Sequence, residues 1–395
     1  MKVIQINATC GTGSTGKICV AISERLNKHN IENYICYSSG TSQYQCGIKY
    51  MTDREVRLGA IEARIRGNYG FNSSKATKRL VGILEKYDAD IIHLHNIHGH
   101  NCNLSILFDY LKTNHKKIIW TFHDCWAFTG HCCYFTDPKC RGWLNDCTGC
   151  IRPREFSWFI DSSSKLLCKK KELLKGLDLT IVTPSIWLAD LVRQSFLKDY
   201  PIYTINNGID LSVFTPTESV FRQRYGLEEK YILLGVAFGW DKRKGLDVFL
   251  DLAERLDERY QIVLVGTDSV IDKQLPNHII SIHRTQDQHE LAEIYSAADV
   301  FVSPTREEVL GMVNIEALSC GTSVITFKTG GSPECIDETC GIVVPCDDVD
   351  AMEKAVRYVC ADKPFSREAC LARARRFDQQ DKFQEYVELY EDVLR

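Results

Sequence analysis

Two glutamates eight residues apart, Glu308 and Glu316, could together hold a polar ligand. The sequence before them predicts a short strand, because residues 299–303 form a β-branched and aromatic run that Pro304 ends. The apolar spacing after them predicts a helix that begins near Val313. If the interval were wholly helical, the two carboxylates would be separated by about 12 Å. A ligand site is therefore expected in the loop between this strand and this helix.

The start of that helix suits an anion. Gly311, Met312 and Val313 should present unpaired amide N–H groups at the positive end of the helix dipole, which favours a diphosphate. Glu316, one turn further, could accept both hydrogen bonds of a ribose diol. The alternative is a surface helix that carries two acids without any ligand.

The motif E-x7-E followed by A-L-S-C-G-T-S-V-I resembles the donor-site signature of family 4 retaining glycosyltransferases, which have the GT-B fold. The resemblance implies that Glu316 holds the ribose of a nucleotide sugar and that Glu308 contacts the donor sugar. It also implies that Lys244, which precedes Gly245 as in the family, meets the donor diphosphate.

The phosphate site departs from the family in one respect. The family usually has an arginine five residues before the lysine, where this chain has Gly239. Arg243 is the natural substitute, since a guanidinium can bind phosphate oxygens in pairs. A solvated basic turn is the alternative for Arg243 and Lys244.

The resemblance extends to two segments of the first half of the chain. His123 directly follows the apolar run KKIIWTF, as does a family histidine that lies by the transferred sugar; a half-buried histidine with satisfied hydrogen bonds is the alternative. The loop CGTGSTGK has almost the spacing of a P-loop, but Ile18 replaces the hydroxyl residue that would hold Mg²⁺, which argues against an NTPase. Its residues Gly13, Thr15 and Gly16 are expected to approach a phosphate or the acceptor, unless the loop is only a structural turn.

Two further groups of candidates remain. Arg284 lies in a segment that resembles the part of the family where the nucleotide base rests against backbone. The strand DIIHLH carries His93 and His95 on one face, where they could share a metal or, as we favour, play structural or cleft-lining roles.

Strand-like and helix-like runs alternate along the chain, which predicts an α/β protein with parallel sheets covered on both faces. At 395 residues the chain suits two doubly wound domains, in the GT-B architecture with a cleft between them. We place the acceptor-side domain at residues 1–199 and the donor domain at 200–395, so that the run IYTIN belongs to the second. The last helix, about 378–395, is expected to cross back to the first domain, as in GT-B enzymes.

Composition and charge limit which partners and which cellular location are expected for the chain. A net charge of −4 gives no global field that would recruit nucleic acid. The N-terminus has no signal-peptide pattern and no apolar run reaches the ~18 residues of a membrane span, so a cytoplasmic location is expected. Basic stretches in the first domain could rest on anionic lipid at the inner face of the membrane, although solvated helix faces are the simpler reading. The basic residues of these stretches are Arg54, Arg57, Arg64, Arg66, Lys75, Lys78 and Arg79, then Lys165, Lys169, Lys170, Lys171 and Lys175.

Eighteen cysteines in such a chain should be thiols or metal ligands. Cys132, Cys140, Cys147 and Cys150 could supply the four ligands of a closed, structural zinc site. Thiols that pin a loop by packing are the alternative.

The family resemblance implies a metal-independent transfer of a hexosyl group from a UDP- or GDP-sugar to a hydroxyl of a glycan, on a lipid carrier, with retained configuration. The resemblance places this reaction in polysaccharide biosynthesis. Neither D-x-D pattern, Asp88–Asp90 or Asp348–Asp350, is placed like a Mn²⁺ clamp. The rival interpretations are a nucleotide-sugar epimerase of the same fold, with His123 and Glu308 as acid and base, and a non-catalytic nucleotide-binding module.

Overall fold

The computed structural model describes residues 1–134 and 140–395, and these form two compact α/β units. Unit 1 comprises residues 1–206 and 382–395, and unit 2 comprises residues 207–381. Within the described residues, no helix combines the length and the apolar character needed to cross a membrane.

Unit 1 is built on a seven-stranded sheet of order β3-β2-β1-β4-β5-β6-β7, and all its neighbours pair in parallel. Its strands are β1 (Lys2–Asn7), β2 (Glu32–Tyr37), β3 (Gly47–Lys49), β4 (Ile91–Leu94), β5 (Lys117–Thr121), β6 (Leu179–Thr183) and β7 (Ile202–Thr204). Its helices are α1 (Gly13–Lys28), α2 (Asp53–Arg66), α3 (Ser74–Tyr87), α4 (Leu104–Thr113), α5 (Ser163–Leu174) and α6 (Ile186–Gln194).

Unit 2 has a six-stranded parallel sheet of order β10-β9-β8-β11-β12-β13. Its strands are β8 (Tyr231–Val236), β9 (Tyr260–Val265), β10 (Ile280–Ile282), β11 (Val300–Ser303), β12 (Val324–Phe327) and β13 (Gly341–Val344). Its helices are α7 (Phe221–Tyr225), α8 (Leu246–Arg255), α9 (Gln288–Ala297), α10 (Met312–Ser319), α11 (Val349–Asp362) and α12 (Arg367–Ala374), and α13 (Gln379–Leu394) ends the chain.

Both sheets have the doubly wound pattern, with the strand order reversing beside β1 in unit 1 and beside β8 in unit 2. The central strands β4, β6 and β11 are buried along their whole length, because helices cover both faces of a parallel sheet. Ligands of such sheets bind at the carboxyl ends of the strands, where the loops after β8 and β11 lie in unit 2.

The predicted domain boundary at 199/200 was wrong by a few residues. The run IYTIN forms β7, which pairs with β6 and therefore completes the sheet of unit 1. Unit 2 begins at Asn207. The last helix was expected from about 378; α13 begins at Gln379, and its residues from Lys382 onward belong to unit 1. There Phe383, Tyr386 and Tyr390 are buried in a core with Val3 and Ile119.

Candidate functional site

The loop after β11 and the loop after β8 meet in unit 2 around one ion pair. Lys244 Nζ lies 2.8 Å from Glu308 Oε2, and both side chains are about one-fifth exposed, at 21% each. Gly245, the N-cap of α8, adopts φ +79°, and a Cβ there would lie 2.3 Å from the Pro304 carbonyl oxygen. The close approach of the two loops thus requires a glycine after Lys244.

Arg306 holds the same two loops together and was not identified from the sequence. Its guanidinium donates two hydrogen bonds to the Asp247 carboxylate, of 2.8 and 2.9 Å, and one of 2.6 Å to Asp347. It also donates to the Lys242 carbonyl, while the Arg306 amide donates to the Arg243 carbonyl over 2.8 Å. Arg306 therefore holds the backbone just before Lys244 and the Asp247 side chain just after it.

The predicted helix start is present as α10, whose N-cap is Gly311 at φ +42°. Met312 and Val313 are the first residues of this helix, and its first turn contains no acidic side chain. Since α10 begins only at Met312, the interval from Glu308 to Glu316 is not wholly helical, and the spacing of 12 Å does not apply. The positive end of a helix dipole still faces the loop that carries Glu308.

Glu316 lies on α10 and is held by a buried tyrosine. The Tyr295 hydroxyl of α9 donates a 2.9 Å hydrogen bond to Glu316 Oε2. Burial, and next the charge of Glu316, raise the pKa of Tyr295 well above its usual value, so the hydroxyl keeps its proton and remains a donor. Tyr295 thus orients the Glu316 carboxylate, another role that the sequence did not reveal.

A third loop, residues 329–332, packs between Glu308 and Gly311. Gly330 has φ +55°, and a Cβ there would lie 1.8 Å from the Glu308 carbonyl oxygen, which also accepts the Gly331 amide over 3.1 Å. The Ser332 hydroxyl would lie 3.4 Å from a Cβ at Gly311. This loop therefore brings further polar groups to the start of α10.

Several buried polar atoms in and beside this loop have no hydrogen-bond partner among the described residues. They are the Thr329 and Ser332 hydroxyls and both polar atoms of the Asn314 amide. Buried polar groups are normally paired, so unsatisfied ones at one place indicate where a polar ligand or water completes the structure. Sequence patterns could not find them, because neither a motif nor a spacing distinguishes these side chains.

Two other residues of unit 2, Arg243 and Arg284, were predicted to contact the donor. Arg243 is half-buried, and its Nε lies 3.9 Å from Asp241 Oδ2. Arg284 is exposed just after β10. Its neighbour His283 pairs with Asp272 across 2.6 Å.

In unit 1, His123 follows β5 as expected and joins a stack of histidines. His123 Nε2 lies 3.0 Å from His95 Nδ1, with nearly parallel rings, and the ring of His93 lies 4.0 Å from that of His95. Burial lowers the pKa of His123 to about 4, so the ring is neutral at physiological pH. Both ring nitrogens of His93 are engaged, by the Tyr390 and Thr121 hydroxyls at 2.6 and 2.8 Å, which supports its structural role.

The glycine loop of unit 1 leads into α1, which begins at Gly13. Gly13 is exposed at φ +68°, and a Cβ there would meet nothing within 4 Å. Gly16 is buried, and a Cβ there would lie 2.6 Å from the Thr9 hydroxyl, so its role includes packing. Thr15 lies between them, 3.4 Å from the Asn7 amide nitrogen.

The four cysteines of the zinc prediction lie on both sides of the undescribed residues 135–139. Among the described residues, one group of three possible metal-ligand atoms lies within 4.8 Å of one another, and it belongs to His98, Asp124 and Cys133. The described members of the predicted zinc set form no such group. Cys150 Sγ instead lies 3.5 Å from His131 Nε2. The zinc site on Cys132, Cys140, Cys147 and Cys150 remains a prediction.

One basic residue assigned to the surface is in the interior. Lys170 is fully buried; its Nζ donates a 2.6 Å hydrogen bond to the Trp126 carbonyl and lies 4.0 Å from the centre of the Trp126 ring. Burial lowers its pKa to about 7. Lys170 therefore cannot contribute to a lipid-facing basic stretch, because the helical period turns it toward the core.

Comparisons with known proteins agree with this architecture. The model of "Glycosyltransferase Family 4" matches residues 16–213, and that of "Glycosyl transferases group 1" matches residues 218–377. Over the full length of both chains, the sequence is 21% identical to WcaC of Escherichia coli (strain K12), whose name assigns it to glycosyl transfer in colanic acid biosynthesis.

Two solved structures show the same fold. Sucrose-phosphate synthase from Thermosynechococcus elongatus superimposes with a TM-score of 0.72 at 18% identity, covering 100% of this chain and 99% of that one. HepE of Anabaena, solved in complex with UDP, has a TM-score of 0.71 at 14% identity and covers 99% and 100%. The chain has two α/β units of the GT-B type, and family models match both of its halves. The chain is therefore a member of glycosyltransferase family 4.

Proposed function

We propose that this glycosyltransferase takes a hexosyl group from a nucleotide-diphosphate sugar bound in unit 2 and transfers it, with retained configuration, to a hydroxyl of a lipid-linked glycan. The observation that carries the proposal is the pairing of Lys244 with Glu308 at 2.8 Å, at the carboxyl ends of β8 and β11 and beside the start of α10. A cation, an acid and a helix N-terminus at one loop cluster suit a donor that carries both a diphosphate and a sugar.

The leaving group sets the electrostatic requirement. Cleavage of the bond between the sugar and the diphosphate builds negative charge on the departing phosphate oxygen. Lys244 and Arg243, with the amides of Met312 and Val313, supply positive charge and N–H donors for it. Glu316, oriented by Tyr295, would accept the two hydrogen bonds of the ribose diol. This division of roles requires no metal ion.

Glu308 would then contact the sugar itself. In the structure its Oε2 accepts from Lys244, and its Oε1 accepts from the Val309 amide over 3.2 Å. Arrival of a diphosphate would draw Lys244 toward phosphate oxygens and release Glu308 Oε2 to accept from a sugar hydroxyl. For His123 of unit 1, whose ring is neutral because burial lowers its pKa to about 4, a role beside the transferred sugar stays a prediction from the family resemblance.

The choice of nucleotide is supported by relatives. HepE has been solved in complex with UDP-glucose, and its fold matches this chain with a TM-score of 0.69. UDP-hexoses are therefore our first candidates, with GDP-sugars next. The full-length similarity to WcaC supports an acceptor in polysaccharide assembly.

A thermal-shift panel of UDP-, GDP- and ADP-sugars tests the proposal. A ligand that binds only the folded chain raises its Tm. The free energy of unfolding increases by RT ln(1 + [L]/Kd), which is about 2.7 kcal/mol when the ligand concentration is a hundredfold above Kd. We expect one nucleotide class to raise the Tm of the wild type and to leave Glu316→Ala unshifted. Glu338→Ala, which removes an exposed acid of the same unit, serves as the control. An unchanged shift in Glu316→Ala would refute the assigned site.

The same preparation separates transfer from the rival activities. Incubation of the enzyme with donor alone should leave the sugar configuration unchanged, whereas an epimerase would convert it. A non-catalytic binding module would leave the donor intact even with acceptors supplied.

A further inference from the structure

Two loops at the carboxyl ends of the strands of unit 1 bring together a histidine, a carboxylate and a thiol. His98 lies in the loop after β4 and Asp124 in the loop after β5, and these two strands are neighbours in the sheet. His98 Nε2 lies 3.0 Å from Asp124 Oδ2. Cys133, further along the second loop, completes the group, and one ligand atom of each residue lies within 4.8 Å of the other two. We call these three residues the His98 cluster.

The spacing of these atoms suits a single metal ion. Ligand atoms that surround Zn²⁺ tetrahedrally, at about 2.0–2.3 Å from it, are about 3.3–3.6 Å apart. The atoms of His98 and Asp124 would therefore have to separate by only about 0.3 Å to hold the ion. An ion pair of His98 with Asp124 gives no role to the Cys133 thiol, whereas imidazole, carboxylate and thiolate are all zinc ligands.

Contacts outside the His98 cluster hold each of its members in place. Asp124 Oδ1 accepts the Trp126 amide over 2.8 Å, which leaves Oδ2 directed to His98. The Cys125 amide donates to the Cys133 carbonyl over 2.8 Å, so the main chain of Cys133 is fixed beside Asp124. The His98 ring packs on the Trp126 ring, with the two ring centres 5.6 Å apart. Supporting contacts of this kind orient the ligands of metal sites.

A small cavity adjoins the His98 cluster. Its volume is about 10 Å³, room for one water molecule, and its lining includes His98, Asp124 and Trp126. The Trp126 ring is buried, and its Nε1 has no acceptor among the described residues. A water in this cavity would accept from the indole N–H and supply a fourth ligand. The side chains of His98 and Asp124 are 23% and 12% exposed, so an ion can enter from solvent.

We propose that His98, Asp124 and Cys133 bind one Zn²⁺ ion, with water as the fourth ligand. The Cys133 thiol loses its proton to solvent on binding, and the thiolate and the Asp124 carboxylate together neutralise the ion. The ion would tie the loop after β4 to the loop after β5. Cys133 does not belong to the predicted set of four cysteines, so this site is separate from that one. The inference does not rest on donor binding in unit 2.

Reconstitution of the full chain with Zn²⁺ tests the proposal. A chelator removes bound metal, Zn²⁺ is added back, and the zinc retained per chain is measured by plasma mass spectrometry. We expect D124N and H98Q, which alter different loops, each to retain one zinc fewer than the wild type, whatever the four-cysteine set holds. The zinc affinity of the site should fall by at least about 100-fold, because even supporting contacts contribute roughly 10- to 100-fold. D124N keeps an oxygen that can accept the Trp126 amide.

Cobalt reports on the thiol. Co²⁺ added in place of Zn²⁺ absorbs in the near ultraviolet when a thiolate binds it, and C133S should lose the part of this absorption that Cys133 supplies. C168S, which changes an exposed cysteine of α5, is the matched control and should bind both metals like the wild type. The Tm of each variant without metal shows whether it is folded.

Three outcomes would overturn the proposal. The first is a wild-type protein that retains no zinc after reconstitution. The second is a folded D124N or H98Q that retains as much zinc as the wild type; if C150S then releases that zinc, the ion belongs to the predicted four-cysteine set. The third is a cobalt absorption that a folded C133S leaves unchanged.

Discussion

Because Lys244 pairs with Glu308, substitutions of the two side chains should have different effects on UDP affinity. Lys244→Ala removes a charged donor to the diphosphate, and charge-assisted hydrogen bonds contribute roughly 1.5–3 kcal/mol, so UDP affinity should fall about 10- to 100-fold. Glu308→Gln removes a negative charge beside Lys244, so UDP affinity should stay the same or rise while transfer of the sugar falls. Titration calorimetry with UDP measures the first effect, and turnover of the donor the second.

A control exists on the same loop. Lys242→Ala replaces an exposed lysine two residues from Lys244 and should leave UDP affinity nearly unchanged. If both lysine variants weakened binding equally, the diphosphate would be held by general positive charge and not by Lys244.

Gly330 allows a stability test of the loop of residues 329–332, which packs against Glu308. Its φ of +55° and the 1.8 Å approach of a Cβ to the Glu308 carbonyl mean that Gly330→Ala must displace backbone. We expect a loss of about 3 kcal/mol or more in the free energy of unfolding, seen as a lower Tm. Gly82→Ala, in α3 where a Cβ meets nothing within 4 Å, should instead stabilise by about 0.5–1 kcal/mol. Equal effects of the two substitutions would contradict the packing described.

Some site residues can be found in a sequence and others cannot. Glu308 and Glu316 follow a predicted strand at an interval that suggests a ligand site, whereas Lys244 was identified only through the family resemblance. Arg306 and Tyr295 act through partners that lie far away in the chain, such as Asp247 and Glu316. No local pattern announces such tertiary contacts, and both residues were missed.

At the scale of elements, β4 and β5 carry the histidine stack of unit 1. Burial lowers the pKa of His123 to about 4, and it lowers the pKa values of His93 and His95 well below the usual value. In the unfolded chain these side chains titrate near 6.5, so between about pH 6.5 and 4 the unfolded state binds more protons than the folded one. Stability should therefore be complete above pH 6.5 and decline as the pH falls through this window.

Each such histidine contributes a slope of up to about 1.4 kcal/mol per pH unit. We expect chemical denaturation between pH 7 and 5 to show this decline and His93→Gln to reduce its slope. A slope that His93→Gln does not alter would mean that this histidine is not held neutral by the fold.

Element types were more predictable than element membership. Alternating apolar runs and helical spacing predicted parallel strands such as β5, β8 and β11, because burial on both faces leaves a continuous apolar run. The run that forms β7 has the same character, and its sequence does not say which of two sheets it will join. Its assignment to unit 1 follows from pairing with β6, which is a tertiary property.

The cysteine-rich segment shows a similar limit. The pattern C-x2-C at Cys147 and Cys150 suggests metal ligation, yet the ligand set depends on how loops converge. Buried Lys170 is hydrogen-bonded to the Trp126 carbonyl, a contact that the sequence pattern also did not indicate. The metal content of the purified protein tests the zinc prediction directly.

At the scale of the whole molecule, the sequence predicted two doubly wound units, and family models match each half. The chain enters unit 2 at Asn207 and returns to unit 1 at Lys382, so unit 1 is discontinuous in sequence. This return was expected only by resemblance, since the apolar face of α13 does not say what it packs against.

The most direct test of the account is a crystal structure of the chain with the nucleotide that the thermal-shift panel selects. We predict that the ribose hydroxyls lie about 3 Å from the Glu316 carboxylate and that the diphosphate contacts Lys244 and the amides of Met312 and Val313. A nucleotide bound away from Glu316, or a diphosphate that does not contact Lys244, would contradict the account.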